Sequence, residues 1–204
     1  MSILGQLIDI ILSRPWEATA VALGIAYVVL AARENIWCWP AALFSTAIFS
    51  WLFWDVSLVM ESGLNIYYLL MAVYGWWQWT KGGTDNRAQE IQSWTIKTHL
   101  ICIGIILVLA IISGTLLNYF TQAALPFVDS LTTWGAVVTT YMVTRKVLEN
   151  WIYWVIIDAI SIYLYIDREL HLTAMLYVGY IVVAIYGWFS WKKLYDDAKG
   201  SKTC

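Results

Sequence analysis

Residues 74–79 read YGWWQW, and residues 186–191 read YGWFSW. Four of the six positions are identical, and the two copies lie 112 residues apart. Each copy ends a long apolar segment and is followed by lysine, at Lys81 after the first and at Lys192 after the second. A hexapeptide repeated at the ends of two hydrophobic segments indicates that the chain contains a duplicated unit.

The composition is that of an integral membrane protein. Hydrophobic residues make up 61% of the 204 residues, charged residues make up 13%, and the mean hydropathy is +0.66. Soluble domains are about 45–50% apolar and about 25% charged. The 14 tryptophans and 13 tyrosines exceed what interfacial aromatic belts require. The net charge of −2 gives no indication of a nucleic-acid partner.

The cysteines and histidines do not have the spacing of a metal site or a disulfide framework. Cys38, Cys102 and Cys204 form no CxxC motif, and His99 and His171 lie far apart. We therefore expect no bound metal and no cofactor. An intramembrane enzyme would need a set such as paired carboxylates, HExxH or a Ser/His pair, and neither histidine has an evident partner in the sequence. We expect no enzymatic activity.

Seven apolar segments are long enough to cross about 30 Å of hydrocarbon. They span residues 17–33, 37–54, 57–79, 99–117, 127–144, 150–166 and 171–191. The fifth segment is rich in threonine and the sixth is short, so these two carry the weakest signals. The preceding N-terminal residues lack the basic start and the cleavage site of a signal peptide. They are better interpreted as a short amphipathic helix lying on the membrane.

The distribution of basic residues supports seven crossings. If the connections alternate between the two sides, the side of the N-terminus carries Arg14 and Arg168, and the other side carries the remaining ten of the 12 Lys and Arg. Cytoplasmic loops are enriched in Lys and Arg. We therefore predict a multi-pass protein of the bacterial inner membrane, with the N-terminus outside and the C-terminus in the cytoplasm.

The two halves of the chain align with each other. Their last helices match at an offset of 112, whereas Glu34 matches Glu149 and Trp39 matches Trp154 at an offset of 115, which predicts a three-residue insertion between helices. Four crossings separate the first helix of one half from the first helix of the other, so both halves point the same way. This all-α fold is a parallel 3+1+3 repeat, an arrangement typical of transporters that bind substrate at the repeat interface.

The repeat divides the chain into six parts. They are an amphipathic segment at 1–15, a first three-helix repeat at 16–80, a cytoplasmic loop at 81–98, a linking fourth helix at 99–125, a second three-helix repeat at 126–193, and a cytoplasmic tail at 194–204.

Polar and aromatic residues follow one face of the third and seventh helices. These two stripes consist of Glu61, Asn65, Tyr68, Ala72 and Trp76 in the third helix and Thr173, Tyr177, Tyr180, Ala184 and Trp188 in the seventh. Lipid does not stabilise amides or hydroxyls in mid-membrane, so we expect the stripes to face each other across a cavity. For Glu61, a solvated position at the cavity mouth is an equally good interpretation. For Trp79 and Trp191, beside lysines, an interfacial anchor copied by duplication is equally good.

The sixth helix carries a third stripe, formed by Trp154, Asp158, Ser161 and Tyr165. Asp158 lies halfway along an otherwise apolar span, where a carboxylate costs at least ~2.5 kcal/mol. No Lys or Arg lies near mid-membrane to pair with it, but a cationic ligand could do so. A structural hydrogen bond or a protonated carboxyl is the alternative. Trp and Tyr rings around a carboxylate suit a flat aromatic cation, through stacking and cation–π attraction.

The chain resembles the PnuC-type vitamin transporter family over residues 16–193. The resemblance rests on three segments together: ENIWCWPAA at 34–42, YYLLMAVYGWWQW at 67–79, and ENWIYWVIIDAISIYLY at 149–165 with the second YGWFSW. It implies a full-length 3+1+3 fold related to SWEET permeases and a homotrimer with one path per protomer. It also implies facilitated diffusion of an unphosphorylated vitamin, which a cytoplasmic kinase then phosphorylates and traps.

The resemblance also bears on the substrate. The family's W-x-x-x-N motif corresponds here to Trp154 and Asp158, so Asp replaces Asn, and Asn65 stands where nicotinamide riboside members often have Gln. These departures favour thiamine narrowly over nicotinamide riboside, and riboflavin, which is neutral and larger, comes behind. A proton-coupled transporter is a less favoured alternative, because it would need a relay of several acidic groups and the sequence shows none. The predicted substrate-binding residues are Glu61, Asn65, Tyr68, Trp76, Trp154, Asp158, Tyr177, Tyr180 and Trp188.

The same duplication suggests where the helices could flex. Gly75 and Gly187 interrupt the two copies of the hexapeptide, and Pro40 lies early in the second helix. All three positions could act as flex points while two three-helix bundles rock around the ligand. For Pro40, an ordinary first-turn proline is the simpler interpretation.

Overall fold

The computed structural model describes residues 15–55, 59–82, 88–120, 125–167 and 171–201. Within these ranges it describes every side chain except those of residues 53–55, 59–63, 171–173 and 201. The predicted amphipathic segment at 1–15 therefore lies outside the described residues, apart from Pro15.

The described part of the chain forms seven α-helices, one for each predicted segment, so the all-helical prediction is confirmed. They are α1 (Pro15–Ala32), α2 (Cys38–Asp55), α3 (Val59–Lys81), α4 (Ile96–Phe120), α5 (Pro126–Thr144), α6 (Asn150–Asp167) and α7 (His171–Ser201). Pro40 lies in the first turn of α2, where a proline has no hydrogen bond to remove. The flex-point interpretation of Pro40 is therefore unnecessary.

Three described helices are long and apolar enough, by length and composition, to cross a membrane: α1, α4, and residues Ala174–Gly200 of α7. The apolar part of α2, Cys38–Leu52, is shorter. Polar residues enter the other helices, for example Asn65 in α3 and Asp158 in α6. In α4, apolar side chains such as Leu100 and Ile111 are exposed on several sides, as expected of a surface in contact with lipid.

The helices form two compact units, one within residues 1–87 and one within residues 88–204. In the first unit, α2 packs against both α1 and α3. In the second unit, α6 packs against α7, and α5 contacts α4 more extensively than it contacts α6. Each unit therefore contains a closely packed pair formed by its last two helices.

The turns between α1 and α2 and between α5 and α6 have the same backbone conformation. Glu34 has φ 55° and Lys146 has φ 49°, and these are the non-glycine residues with positive φ in the described chain. Both turns have the same backbone hydrogen bonds from N–H groups to carbonyl oxygens. In the first turn, the N–H groups of Arg33, Asn35 and Cys38 donate to the carbonyls of Val29, Leu30 and Asn35 respectively. In the second turn, the N–H groups of Arg145, Val147 and Asn150 donate to the carbonyls of Tyr141, Met142 and Val147 respectively. Every pair of equivalents is 112 residues apart.

This correspondence corrects the predicted alignment of the second helices. At a constant offset of 112, Trp39 matches Trp151 rather than Trp154, and no three-residue insertion is needed. The Glu-Asn dipeptides at 34–35 and 149–150 are not structural equivalents, because they occupy different positions in the two turns. Glu34 is the left-handed residue of its turn, whereas Glu149 directly precedes α6.

Each copy of the repeated hexapeptide packs against a tryptophan of the preceding helix. In the first unit, the ring of Trp39 lies over Gly75 and meets Trp79 edge to face, with ring centroids 5.3 Å apart and an interplanar angle of 89°. A Cβ atom added to Gly75 would come within 2.4 Å of the Trp39 ring. Glycine is therefore required for this close approach of α2 and α3.

The second unit repeats the arrangement with the equivalent residues. Trp151 lies over Gly187 and meets Trp191 edge to face, at 5.4 Å and 88°. Trp191 is fully buried, and Trp79 is only 3% exposed. A buried ring cannot anchor the chain at the membrane interface, so the interfacial-anchor interpretation of these two tryptophans is wrong. The hexapeptide is a helix-packing motif.

Replacing Gly187 by alanine is expected to lower stability by about 1–3 kcal/mol, because the new methyl group would lie 2.7 Å from the buried Trp151 ring. Gly179 provides a matched control in the same helix, since nothing lies within 4 Å of an added Cβ there. Gly179→Ala should leave stability unchanged or raise it by up to about 1 kcal/mol. Thermal unfolding of both purified variants in detergent measures the difference. Equal melting temperatures would contradict the packing role of Gly187.

Candidate functional site

The second unit brings three of the predicted site residues together. Asp158 lies in the middle of α6 and is only 4% exposed, and Ser161 is buried one turn further along. Tyr177 and Tyr180 of α7 are close enough to interact electrostatically with the Asp158 carboxylate. They reach it because residues i and i+3 of a helix share a face, and that face of α7 packs towards α6. The site is thus a carboxylate beside two phenol rings.

The tyrosines of this site form a continuous aromatic wall. The rings of Tyr165 and Tyr177 have centroids 5.1 Å apart and an interplanar angle of 39°. Tyr177 meets Tyr180 at 5.6 Å with an interplanar angle of 75°. Because each ring is fixed by its neighbour, the wall presents aromatic surface and hydroxyl groups in a set geometry. We call Asp158, Tyr165, Tyr177 and Tyr180 the acidic-aromatic cluster.

Asp158 is the only acidic member of the acidic-aromatic cluster. Within the described residues it has no hydrogen-bond donor and no ion-pair partner, and its carboxyl group is largely shielded from solvent. The alternative that it makes a structural hydrogen bond is therefore not supported by the described contacts. A buried carboxylate without a partner is costly, and a cation that enters the site would remove that cost.

The first unit holds a different group of tyrosines. Tyr68 is half-buried beside Tyr67, with ring centroids 5.5 Å apart, and it interacts electrostatically with Tyr27 of α1. Tyr27 in turn lies 6.0 Å from the ring of the buried Trp39. Asn65 is half-buried one turn before Tyr68 on the same face of α3. The first unit therefore offers hydroxyl and amide groups but no described carboxylate beside them.

The three remaining aromatic site residues are tryptophans, and each is at least partly exposed. Trp76 is 38% exposed and meets Trp37 edge to face at 6.2 Å. Trp154 and Trp188 are half-buried, on the same helices as Asp158 and Tyr180 respectively. The side chain of Glu61 lies outside the described residues. That all nine residues line one cavity stays a prediction.

Sequence reasoning missed two aromatic residues of the first unit. Tyr27 belongs to α1, which has no polar stripe, and Tyr67 lies beside the α3 stripe rather than on it. The signal that could have found Tyr27 was its hydroxyl group, because it is the one polar side chain between Thr19 and the end of an otherwise apolar helix. A single hydroxyl of this kind needs a partner in mid-membrane.

An open surface groove of about 330 Å³ lies elsewhere in the first unit, lined by Ala47, Ile48 and the exposed Trp16 and Trp51. It contains none of the predicted site residues, and its lining is apolar apart from the indole nitrogens. Such a lining suits a hydrocarbon chain better than a charged vitamin. We therefore assign it no part in substrate recognition.

The known proteins that this chain is similar to are vitamin transporters. A family model described as "Nicotinamide mononucleotide transporter" matches residues 14–193. The nicotinamide riboside transporter PnuC of Escherichia coli (strain K12) is 22% identical, over 86% of this chain and 84% of that protein. The riboflavin/roseoflavin transporter RibM of Streptomyces davaonensis is 23% identical, over 83% and 80% respectively. These relatives are transporters and not enzymes, which confirms the expectation that the chain has no enzymatic activity.

A solved structure supports the fold. The crystal structure of the vitamin B3 transporter PnuC superposes with a TM-score of 0.71, covering 95% of this chain and 88% of the other at 22% identity. At that identity the likeness concerns the fold and not the ligand.

Replacing Asp158 by asparagine is expected to stabilise the ligand-free protein by about 1 kcal/mol, because burying a neutral amide costs less desolvation free energy than burying a carboxylate. Asp167→Asn is the matched control, since Asp167 lies exposed at the end of the same helix and should give no change. Thermal unfolding without ligand tests the pair. A lower melting temperature for Asp158→Asn would indicate that the carboxylate has a structural partner.

Proposed function

Because the chain belongs to the nicotinamide mononucleotide transporter family, we propose that it carries nicotinamide riboside across the bacterial inner membrane by facilitated diffusion. The relatives named for this vitamin support nicotinamide riboside, and the reported relatives give no support to thiamine. The earlier preference for thiamine is therefore withdrawn. That preference relied on Asn65 and Asp158, but Asp158 responds to positive charge, and the two vitamins are both cations. It cannot distinguish one from the other.

The observation that carries the proposal is the buried carboxylate of Asp158, which lies beside Tyr177 and Tyr180 and has no ion-pair partner among the described residues. Nicotinamide riboside is a flat pyridinium cation joined to a ribose. Its ring fits between tyrosine faces, where cation–π attraction is worth about 0.5–2 kcal/mol. The carboxylate neutralises the positive charge. The hydroxyl group of Tyr68 and the amide of Asn65 are suitable partners for the ribose hydroxyls.

The same carboxylate favours the unphosphorylated vitamin over its mononucleotide. A phosphate group adds a charge of about −1.5 to −2 at neutral pH. Bringing that charge towards Asp158 in a weakly polar site is unfavourable. A cytoplasmic kinase that phosphorylates the arriving vitamin would therefore prevent its return through this site. Phosphorylation then keeps the gradient of free vitamin directed inwards without any coupled ion.

We further propose that the two units are repeats in a parallel 3+1+3 arrangement, with α4 as the linking helix. The shared turn conformation and the shared tryptophan–glycine packing, both at an offset of 112, support this arrangement. In it, the stripes of α3 and α7 face one cavity, and the units rock around the substrate. The likeness to SWEET permeases and the homotrimer with one path per protomer belong to the same proposal.

The binding test uses calorimetry on the purified protein in detergent, with nicotinamide riboside, thiamine, riboflavin and nicotinamide mononucleotide in parallel. Nicotinamide riboside is expected to bind most tightly, and the mononucleotide least. Asp158→Ala should weaken binding of nicotinamide riboside by about tenfold or more, because it removes a charge-assisted contact. Asp167→Ala on the same helix is the control and should bind normally. Tighter binding of thiamine or riboflavin would contradict the assigned substrate.

The orientation is tested separately. Ten of the 12 basic residues fall on one side if the chain crosses seven times, which supports a cytoplasmic C-terminus. A green fluorescent protein fused to the C-terminus is expected to fluoresce, since it folds in the cytoplasm. An alkaline phosphatase fused at the same point should be inactive, because it needs the periplasm to form its disulfides. Active phosphatase would reverse the assignment.

A further inference from the structure

Residues 88–95, which lead into α4, fold back onto the turn between α5 and α6. The N–H of Gln92 donates to the carbonyl of Lys146 at 2.9 Å, and the N–H of Leu148 donates to the carbonyl of Gln92 at 2.8 Å. These bonds form an isolated parallel bridge between Gln92 and Val147. The polar segment between α3 and α4 was predicted to be a loop. Its backbone is instead hydrogen-bonded to the turn between α5 and α6.

Two side chains strengthen the same attachment. The amide nitrogens of Gln89 and Gln92 both donate to the carbonyl of Arg145, each at 2.8 Å. Carbonyls at the C-terminal end of a helix have no partner within the helix. The segment therefore supplies donors for the end of α5 just where Lys146 takes its left-handed conformation. We call residues 88–95, bound in this way, the inner clamp.

The inner clamp also holds the start of α6 through Glu149. The hydroxyl of Ser93 donates to one carboxylate oxygen of Glu149, and the N–H of Trp94 donates to the other at 3.3 Å. His99 of α4 approaches the same carboxylate at 3.7 Å through Nε2. The Nδ1 of His99 is hydrogen-bonded to the hydroxyl of Tyr153 at 3.0 Å. Glu149 is thus the point where the clamp, α4 and α6 meet.

We infer that the inner clamp sets the position of α6, and that Glu149 is a positioning residue for Trp154 and Asp158. This inference rests on the proposed function for its consequence in transport. A helix transmits a displacement of its end along its axis, and Asp158 lies nine residues from Glu149, roughly 14 Å at 1.5 Å per residue. The first turn of α6 already packs against α7 through Trp151, and the clamp adds a second attachment because it ties the turn before α6 to the segment that leads into α4.

Two variants test the clamp: Glu149→Gln, which keeps the shape of the side chain but loses one acceptor and the charge, and the milder Ser93→Ala. Asp197→Asn is the control, because Asp197 is an exposed carboxylate near the end of α7. Hydrogen exchange is measured at the amides of Gln92 and Leu148 and over the first two turns of α6. Exchange is expected to become about tenfold faster in both test variants, because the bonds lost are charge-assisted, and to stay unchanged in the control.

Transport supplies the second readout. In vesicles loaded with a kinase-free buffer, uptake of nicotinamide riboside by Glu149→Gln should show a KM about tenfold higher with a maximal rate close to that of the unaltered protein. A structural defect alone would instead lower the maximal rate through loss of folded protein and leave KM unchanged. The Asp197→Asn control should match the unaltered protein in both parameters.

The outcomes separate the clamp from the substrate assignment. Faster exchange with an unchanged KM would refute the positioning role of Glu149. Unchanged exchange in both variants would refute the clamp itself. If the unaltered protein does not bind nicotinamide riboside, the proposed function fails, but exchange in the first two turns of α6 still decides whether the clamp positions that helix. Faster exchange there would support the clamp, and unchanged exchange there would overturn it.

Discussion

The contact on which the structure depends most is a tryptophan lying on a glycine. In each unit, a flat indole ring of the middle helix covers a glycine of the last helix and meets a second tryptophan one turn further along. Within a membrane, helices gain little from hydrophobic burial, because lipid tails are as apolar as side chains. Close van der Waals packing at small residues replaces that driving force. Ala72 and Ala184, both 2% exposed on the same face, extend the contact.

This packing fixes the direction of the side chains that are proposed to bind substrate. Once Gly187 and Trp191 face α6, the helical period also turns Tyr180 and Tyr177 towards α6, close to Asp158. The first unit applies the same register to α3, so that Tyr68 lies beside Tyr27 rather than in lipid. The repeated hexapeptide therefore determines the site without contributing most of its functional groups. The chemistry of each unit comes from the positions that differ between the two copies, such as Asn65 against Tyr177.

The helices and the polar stripes could be predicted from the sequence, because length, hydropathy and helical period are local properties. The role of Trp79 and Trp191 could not, because a tryptophan beside lysine has the same pattern whether it faces lipid or a partner ring. The predicted offset between the second helices was wrong because both halves contain a Glu-Asn dipeptide, but Glu34 and Glu149 occupy different positions in their turns. The inner clamp was invisible because it consists mainly of bonds to main-chain carbonyls, which leave no trace in residue identity.

In the proposed mechanism, the placement of Asp158 accounts for net movement in one direction through a passive transporter. Among the described residues the buried carboxylate has no ion-pair partner, which makes the empty site unfavourable, and a bound cation would offset that cost. In the same proposal, phosphorylation of the vitamin would add negative charge and so change its interaction with Asp158 from attraction to repulsion. The proposed directionality therefore needs no proton relay, because it would arise from the charge of the phosphorylated product.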